Sequence, residues 1–109
     1  MRLKGKVALI TGAGAGIGSA IARRFAEEGA TVHVTGLHME NTRKVRMDLR
    51  DAGYAAIGRV LDVTDSRAVA ATVSATVGEF GRLDILVANA ALAGMAVLDG
   101  PLIDVTDEQ

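Results

Sequence analysis

The stretch ITGAGAGIGSAIARRFAEEGA, residues 10–30, decides the fold of this chain. It continues a short apolar run, VALI at residues 7–10, of the kind found in strands buried on both faces of a parallel sheet. Alternate glycines follow, and after them apolar and charged residues recur at helical spacing. The stretch therefore predicts a strand, a glycine-rich turn and a helix that ends near Gly29. The residues predicted to form the apolar face of that helix are Ile17, Ala20, Ile21 and Phe25.

The rest of the chain continues the alternation of apolar strands and amphipathic helices. Further strands are predicted at residues 31–34, 56–63 and from 83 onward, and further helices at 40–52 and from about 65 to 80. The inward residues of the last helix are predicted to be Val69, Val73 and Val77. The order β-α-β-α-β-α-β predicts an α/β fold, a doubly wound, Rossmann-like parallel sheet that is truncated after about four strands.

Composition narrows the classes of function. The chain has 109 residues and a formal net charge of -1, so one domain is expected and no electrostatic footprint for nucleic acid or an anionic membrane is present. It contains no cysteine, and neither of its two histidines has a companion at metal-ligand spacing, so no metal site is expected. The apolar run near the N-terminus is too short for a signal or membrane segment. We therefore expect a cytoplasmic protein.

The glycines between the first strand and the first helix favour a phosphate-binding role. The N-terminus of a helix presents unpaired backbone N–H groups and a partial positive charge, and residues without side chains let a pyrophosphate approach that backbone. The alternative is that the glycines only allow a tight turn and close helix packing. The common G-x-G-x-x-G spacing does not fit, because Ile17 and Ser19 occupy the places where the last glycine would stand.

The spacing that does fit is Thr11-Gly12-x-x-x-Gly16-x-Gly18. With it the sequence resembles the short-chain dehydrogenase/reductase family, whose glycine signature is T-G-x-x-x-G-x-G. GKVALITG, LDVTD and GRLDILVANAA follow the order and spacing of that family, and the resemblance extends over residues 3–107. It implies an oxidoreductase that transfers hydride between NAD(P) and a carbonyl or alcohol substrate. Residues 1–109 would be the N-terminal part of its single NAD(P)-binding domain.

The resemblance implies a role for each residue at a matching position. Gly12, Gly16 and Gly18, with the backbone around Ala15 and Ile17, would surround the pyrophosphate, and Thr11 would brace the loop. Asp62 would accept a hydrogen bond from the adenine amino group, with Val63 along the ring; an ordinary loop or cap aspartate is the alternative for Asp62. The backbone of Asn89 and Ala90 would contact the cofactor. The sequence departs from the family's N-N-A-G motif, because Ala88 and Ala91 replace its first asparagine and its glycine.

The end of the second strand bears on the choice between NAD and NADP. A carboxylate there accepts from the ribose 2′-hydroxyl and repels a 2′-phosphate. This chain has Gly36, Leu37 and His38 instead, so it carries no such acid. It carries no arginine there either, and Ala15 stands where NADP-using relatives often have a basic residue. His38 and Arg43 are the nearest candidate partners, and the alternative for both is an ordinary surface residue. The missing acid favours NADP.

The catalytic groups of the family have no counterpart in this chain. The family uses a tyrosine to transfer the proton and a lysine four residues later to lower the pKa of that tyrosine. The only tyrosine here is Tyr54, and the residue four positions later is Gly58. We therefore expect no catalytic residue and no activity from these residues alone. Residues 92–101 are predicted to form one wall of the substrate site.

A non-catalytic dinucleotide-binding or interaction module is the alternative function. A methyltransferase on a related sheet is a weaker candidate than either.

The truncated sheet carries a physical consequence. The fourth predicted strand, LDILV at residues 83–87, is apolar on both faces and has no predicted strand beside it. Long apolar edges pair readily with other chains. We therefore expect self-association.

Overall fold

A computed structural model of the chain describes residues 2–14, 16–90 and 94–99. Strands and helices alternate through most of that range. In chain order they are β1 (Val7–Ile10), α1 (Gly16–Glu27), β2 (Thr31–Gly36), α2 (Met39–Asp51), β3 (Ala56–Val60), α3 (Ser66–Phe80), β4 (Ile85–Ala90) and β5 (Gly94–Asp99).

The strands form one sheet in the order β3-β2-β1-β4-β5. The first four strands pair in parallel, with Ile10 opposite both Val34 of β2 and Val87 of β4. This arrangement confirms the predicted doubly wound, Rossmann-like α/β fold, in which strand order reverses beside β1. The expectation that β4 is an edge strand was wrong, because β5 pairs with it in antiparallel orientation from Ile85 to Ala90. Only three residues separate β4 from β5 in the sequence, too few for the crossover that a parallel neighbour would need.

The core lies on both faces of this sheet. On one face, residues of β1, β2 and β4 pack against α1 and α2; on the other face, β1 and β4 pack beneath α3. All four residues of β1 are buried, as expected for a central parallel strand covered on both sides. The fully buried side chains of the core are aliphatic or threonine, and they include Leu9, Ile10, Val32, Val34, Leu49 and Val87.

Two of the predicted helix faces differ from the structure. In α1, Ile17 and Ala20 are exposed, and the buried residues are Gly18, Ala22 and Ala26. Small side chains let the helix axis approach the sheet closely, so Ile21 and Phe25 flank the contact as half-buried residues. The residue pattern therefore predicted the helix correctly but assigned its buried face to large apolar residues, whereas small residues occupy that face.

In α3, Val69 is buried and Val73 half-buried, but Val77 is exposed. Thr72 and Thr76 are buried in its place. The Thr72 hydroxyl donates to the Ala68 carbonyl and the Thr76 hydroxyl to the Thr72 carbonyl, each at 2.8 Å. Because these hydroxyls are satisfied within the helix, threonine can occupy positions that the sequence pattern assigned to valine.

The helix ends follow the predicted signals. Asp65 caps α3, its Oδ1 accepting from the backbone N–H groups of Arg67 and Ala68 at 3.1 Å. Gly29, Gly53 and Gly81 follow the three helices with φ of 98°, 93° and 79°, the left-handed conformation that glycine adopts without steric cost. In the described ranges, no helix is both long and apolar enough to cross a membrane.

Candidate dinucleotide-binding site

Four segments meet at the carboxyl edge of the sheet. Because β1, β2, β3 and β4 are parallel, their C-terminal ends and the loops that follow lie side by side. The glycine loop follows β1, and Leu37, Asp62 and Asn89 lie at or just beyond the ends of the other three strands. In open α/β sheets, ligands bind at this edge, where the strand order reverses. The predicted site residues are therefore brought to one edge by topology alone.

The glycine loop is tied to the strands on both sides of β1. The backbone N–H and the hydroxyl of Thr11 both reach the Val87 carbonyl in β4, at 3.0 and 3.3 Å. The Ala13 N–H donates to the Thr35 carbonyl in β2 at 2.7 Å, and the Thr35 hydroxyl donates to the Ile10 carbonyl at 2.8 Å. Thr11, Ala13 and Thr35 are all buried. These hydrogen bonds fix the start of the loop, at Thr11 and Ala13, against both neighbouring strands.

The glycines of the loop serve different purposes. Gly12 and Gly16 have φ of 64° and 61°, and a Cβ placed on Gly16 would meet nothing within 4 Å. Gly14 instead packs against α2, where a Cβ would lie 3.2 Å from Asn41 Cβ, and Gly18 is buried in α1. The T-G-x-x-x-G-x-G spacing already set Gly14 apart from the other three glycines, and the structure shows that Gly14 contacts α2.

Helix α1 begins at Gly16, so its first N–H groups lie beside the open part of the loop. Ile17 follows with 64% of its surface exposed, although it is apolar. No acidic residue occupies the first turn of this helix, which leaves its positive end without a carboxylate. This end of α1 can therefore receive an anion. Ala15, predicted to contribute its backbone, lies outside the described residues.

The end of β2 lies against the glycine loop. Gly36 is buried, and its carbonyl accepts a hydrogen bond from the Leu61 N–H of the chain leaving β3, at 2.8 Å. Leu37, the next residue, is 61% exposed, and His38 is exposed as well. An exposed leucine beside an exposed histidine gives this corner one apolar and one polar contact for a ligand. Arg43 lies further along α2 and is also exposed.

Asp62 lies beyond β3 in a tight turn. Its Oδ1 accepts from the Thr64 hydroxyl at 2.7 Å and from the Thr64 N–H at 2.9 Å. These two hydrogen bonds, the hydroxyl first, hold the pKa of this exposed carboxyl below its usual value. The residue thus forms the loop turn that was the alternative interpretation. Its Oδ2 takes no hydrogen bond from the described residues, so the fixed carboxylate retains one acceptor for a ligand. Val63 beside it is half-buried.

Asn89 and Ala90 form the last residues of β4, beyond the point where Val87 pairs with Ile10. That register carries the strand past the end of β1 and alongside the glycine loop. On the other side, Asn89 and Ala90 pair with Met95 and Gly94 of β5. Of the wall predicted at residues 92–101, the structure describes Gly94–Asp99 as this strand, and the remaining positions lie outside the described residues.

Residues that the sequence left out of the site complete its support. Thr35 and Ala13 join β2 to the loop, and Thr42 of α2 lies against Gly36. The one sequence feature that could have indicated Thr35 is its position as a polar residue near the end of β2. Tyr54 is half-buried with the Arg23 guanidinium 6.0 Å from its ring centre, and His33 is buried against Thr76, so neither lies at this edge.

Comparison with known proteins places the chain in a family. The family profile described as short chain dehydrogenase matches residues 6–109. Cis-4-hydroxycyclohexanecarboxylate dehydrogenase from Sinomonas cyclohexanicum is 50% identical over 88 residues, which are 81% of this chain and 35% of that protein. The chain belongs to the short-chain dehydrogenase/reductase family, as the motifs predicted.

Solved structures agree with this assignment. A metagenomic short-chain oxidoreductase in complex with NADP has a TM-score of 0.80 and 39% identity, over 84% of this chain and 42% of the other. NAD+-bound xylitol dehydrogenase has a TM-score of 0.75 and 41% identity, over 79% of this chain and 33% of the other. The chain therefore spans well under half the length of the relatives that it matches.

Proposed function

We propose that these residues bind the pyrophosphate and adenosine of a nicotinamide dinucleotide. The observation that carries the proposal is the loop between β1 and α1, in which Gly12 and Gly16 adopt positive φ while Thr11 and Ala13 tie the loop to both neighbouring strands. A loop of glycines and small residues, held at Thr11 and Ala13 and followed by a helix N-terminus, matches the shape and charge of a pyrophosphate. Relatives with the same sheet are solved with NADP and with NAD+.

Each segment of the edge would supply one part of the binding. Gly12, Gly16 and Gly18, with the backbone at Ala15 and Ile17, would surround the pyrophosphate. Asp62 would accept from the adenine amino group through Oδ2 while Thr64 holds its other oxygen, and Val63 would lie along the ring. Leu37 and His38 would contact the adenosine ribose, and the Asn89–Ala90 backbone the central ribose. When bound, the dinucleotide would donate or accept the hydride.

NADP is the cofactor that this corner favours. Gly36 and Leu37 carry no carboxylate that would repel a 2′-phosphate, and His38 is an exposed polar partner next to them. Arg43 is exposed one turn into α2 and has no ion-pair partner in the described part of the chain. Titration with NADPH and with NADH tests the preference, and the proposal expects the tighter binding for NADPH.

The protein that carries these residues is proposed to be an oxidoreductase acting on an alcohol or carbonyl group. The family assignment supports this activity, and the catalytic groups of the family have no counterpart in residues 1–109. The alternative, a non-catalytic dinucleotide-binding module, predicts the same binding without turnover. An assay of the intact protein with NADP and a panel of secondary alcohols separates the two.

Binding is tested most cleanly with a pair of glycine variants. Gly16→Ala and Gly81→Ala introduce the same methyl group at φ of 61° and 79°, and neither Cβ would meet an atom within 4 Å. Both variants therefore carry a similar backbone cost, but only Gly16 lies in the loop. We expect G16A to weaken NADPH binding at least tenfold and G81A to leave it within about twofold. Equal effects of the two variants would refute the assignment of the loop.

Two further expectations remain proposals. A cytoplasmic location is one of them, and fractionation of the source cell tests it. Self-association is supported by the sheet edges, although β5 now covers the apolar edge of β4 and leaves β3 and β5 as the outer strands. Sedimentation over a range of concentrations measures it directly.

A further inference from the structure

Helix α2 comes close to the end of β2 where Thr42 faces Gly36. A Cβ built on Gly36 would lie 2.7 Å from the Thr42 hydroxyl oxygen, and 3.4 Å from the backbone nitrogen of Gly14 in the glycine loop. Gly36 has an ordinary φ, so its backbone does not require glycine. The lack of a side chain at this position is therefore explained by the contact with Thr42 and not by chain conformation.

Thr42 has little freedom to move away from this contact. It is 2% exposed, and its hydroxyl has no hydrogen-bond partner among the described residues. A β-branched residue within a helix has few staggered conformations open to it. A side chain at position 36 would therefore have to displace Thr42 or the helix that carries it.

Position 36 is also the place from which a carboxylate would reach the adenosine ribose. The built Cβ points toward the glycine loop, as its distances to Gly14 show. We propose that Thr42 keeps position 36 free of a side chain, and so acts as a positioning residue that leaves room and a neutral environment for a 2′-phosphate on the adenosine ribose. This inference rests on the proposed dinucleotide binding and extends it to a residue that touches no ligand.

The steric part of the proposal is tested without any ligand, by a double-mutant cycle in the intact protein. Gly36→Ala is expected to lower Tm by about 5 °C or more, a typical shift for a mild core clash in a domain of this size. Thr42→Ala in the same chain is expected to recover at least half of that loss, because it removes the oxygen from the path of the new methyl group. Additive shifts in Tm would overturn the proposal.

Thr42→Val is the matched control, since it keeps the shape of threonine and removes only the hydroxyl. It is expected to leave the loss caused by G36A unrepaired. Recovery by T42V as complete as by T42A would mean that the clash depends on the hydroxyl and not on the space it fills, and would also overturn the proposal.

The selective part is tested with Gly36→Asp, alone and together with T42A. The double variant is expected to fold and to shift the ratio of NADPH to NADH affinity at least tenfold toward NADH relative to T42A. G36D with Thr42 in place is expected to lose Tm well beyond the double variant. If G36D alone keeps the wild-type Tm and shows the full shift, Thr42 is not the barrier. If T42A and the unaltered protein bind neither nucleotide, the proposed function fails, while the Tm cycle still decides the contact.

Discussion

Val7 and Asp84 hold the first and fourth strands together by two reciprocal hydrogen bonds. The Val7 N–H donates to Asp84 Oδ2 at 2.8 Å, and the Asp84 N–H donates to the Val7 carbonyl at 2.9 Å. Arg82 adds a bidentate pair to the same carboxylate, at 2.6 and 2.8 Å. The Asp84 carboxylate thus links β1 to the start of β4 at the amino-terminal edge of the sheet, opposite the edge that carries the glycine loop.

Asp84→Asn is expected to destabilise the chain by about 1–3 kcal/mol, because it weakens charge-assisted bonds to a partly buried group. The bonds from Arg82 hold the pKa of Asp84 below its usual value, so this stability is present near neutral pH and is lost as the pH falls through the folded pKa. Urea unfolding of D84N measures the loss. Asp48→Asn, an exposed change on α2, serves as control; equal effects would contradict the account.

His33 should stay neutral well into the acid range. Its Nδ1 lies 2.8 Å from Thr76 Oγ1, whose proton goes to the Thr72 carbonyl, so Nδ1 carries the hydrogen. Burial, with a smaller contribution from Arg59, lowers the pKa of His33 from 6.5 to about 4. Between pH 6.5 and 4, His33 is therefore protonated in the unfolded chain but neutral in the folded chain. The free energy of unfolding falls as the pH drops through this range, by up to about 3 kcal/mol.

Nitrogen-15 NMR of the imidazole measures this titration. The sequence has two histidines, so His38→Gln leaves His33 as the only source of an imidazole signal. A His33 that titrates near 6.5 would show that the ring is solvated and that the Thr76 contact does not hold in solution.

Thr42→Val should stabilise the chain by about 1 kcal/mol. The Thr42 hydroxyl is buried without a partner in the described structure, and replacing it with a methyl group removes a desolvated polar atom without changing shape. Chemical denaturation is the measurement. A loss of more than about 1 kcal/mol would mean that the hydroxyl has a partner in solution.

Asp62 and Asp65 lie three residues apart and should separate in their effects. Asp62→Asn is expected to weaken NADPH binding about tenfold with little change in Tm, because the amide keeps an oxygen for both Thr64 bonds and replaces the proposed adenine acceptor with an N–H donor. Asp65→Ala is expected to cost about 1 kcal/mol of stability through the lost cap of α3, with binding nearly unchanged. Calorimetry on both variants tests the pair, and a reversal of the two effects would contradict the assignments.

The sequence predicted the parallel order of the sheet and the position of the glycine loop, because both depend on local signals: a buried apolar strand, glycines, then an amphipathic helix. It was less successful with buried faces. Ala22 and Ala26 take the place of Ile17 because close packing of α1 selects small residues, and Thr76 replaces Val77 because its hydroxyl is satisfied inside the helix. The contact of Thr42 with Gly36 could not be predicted, since it depends on how α2 docks on the sheet.

Mapping of NADPH onto the nitrogen-15 backbone spectrum of the intact protein tests the central claim most directly. The account predicts saturable shifts that are largest at residues 12–18, with further shifts at 36–38, 62–64 and 89–90 and little change at the Val7–Asp84 edge. The contrary result is no saturable change, or shifts confined to the groove between α2 and β3, lined by Arg43, Arg46 and Gly58. The first result would mean that the protein does not bind this nucleotide, and the second that the nucleotide site lies elsewhere; under both, the glycine loop serves chain packing.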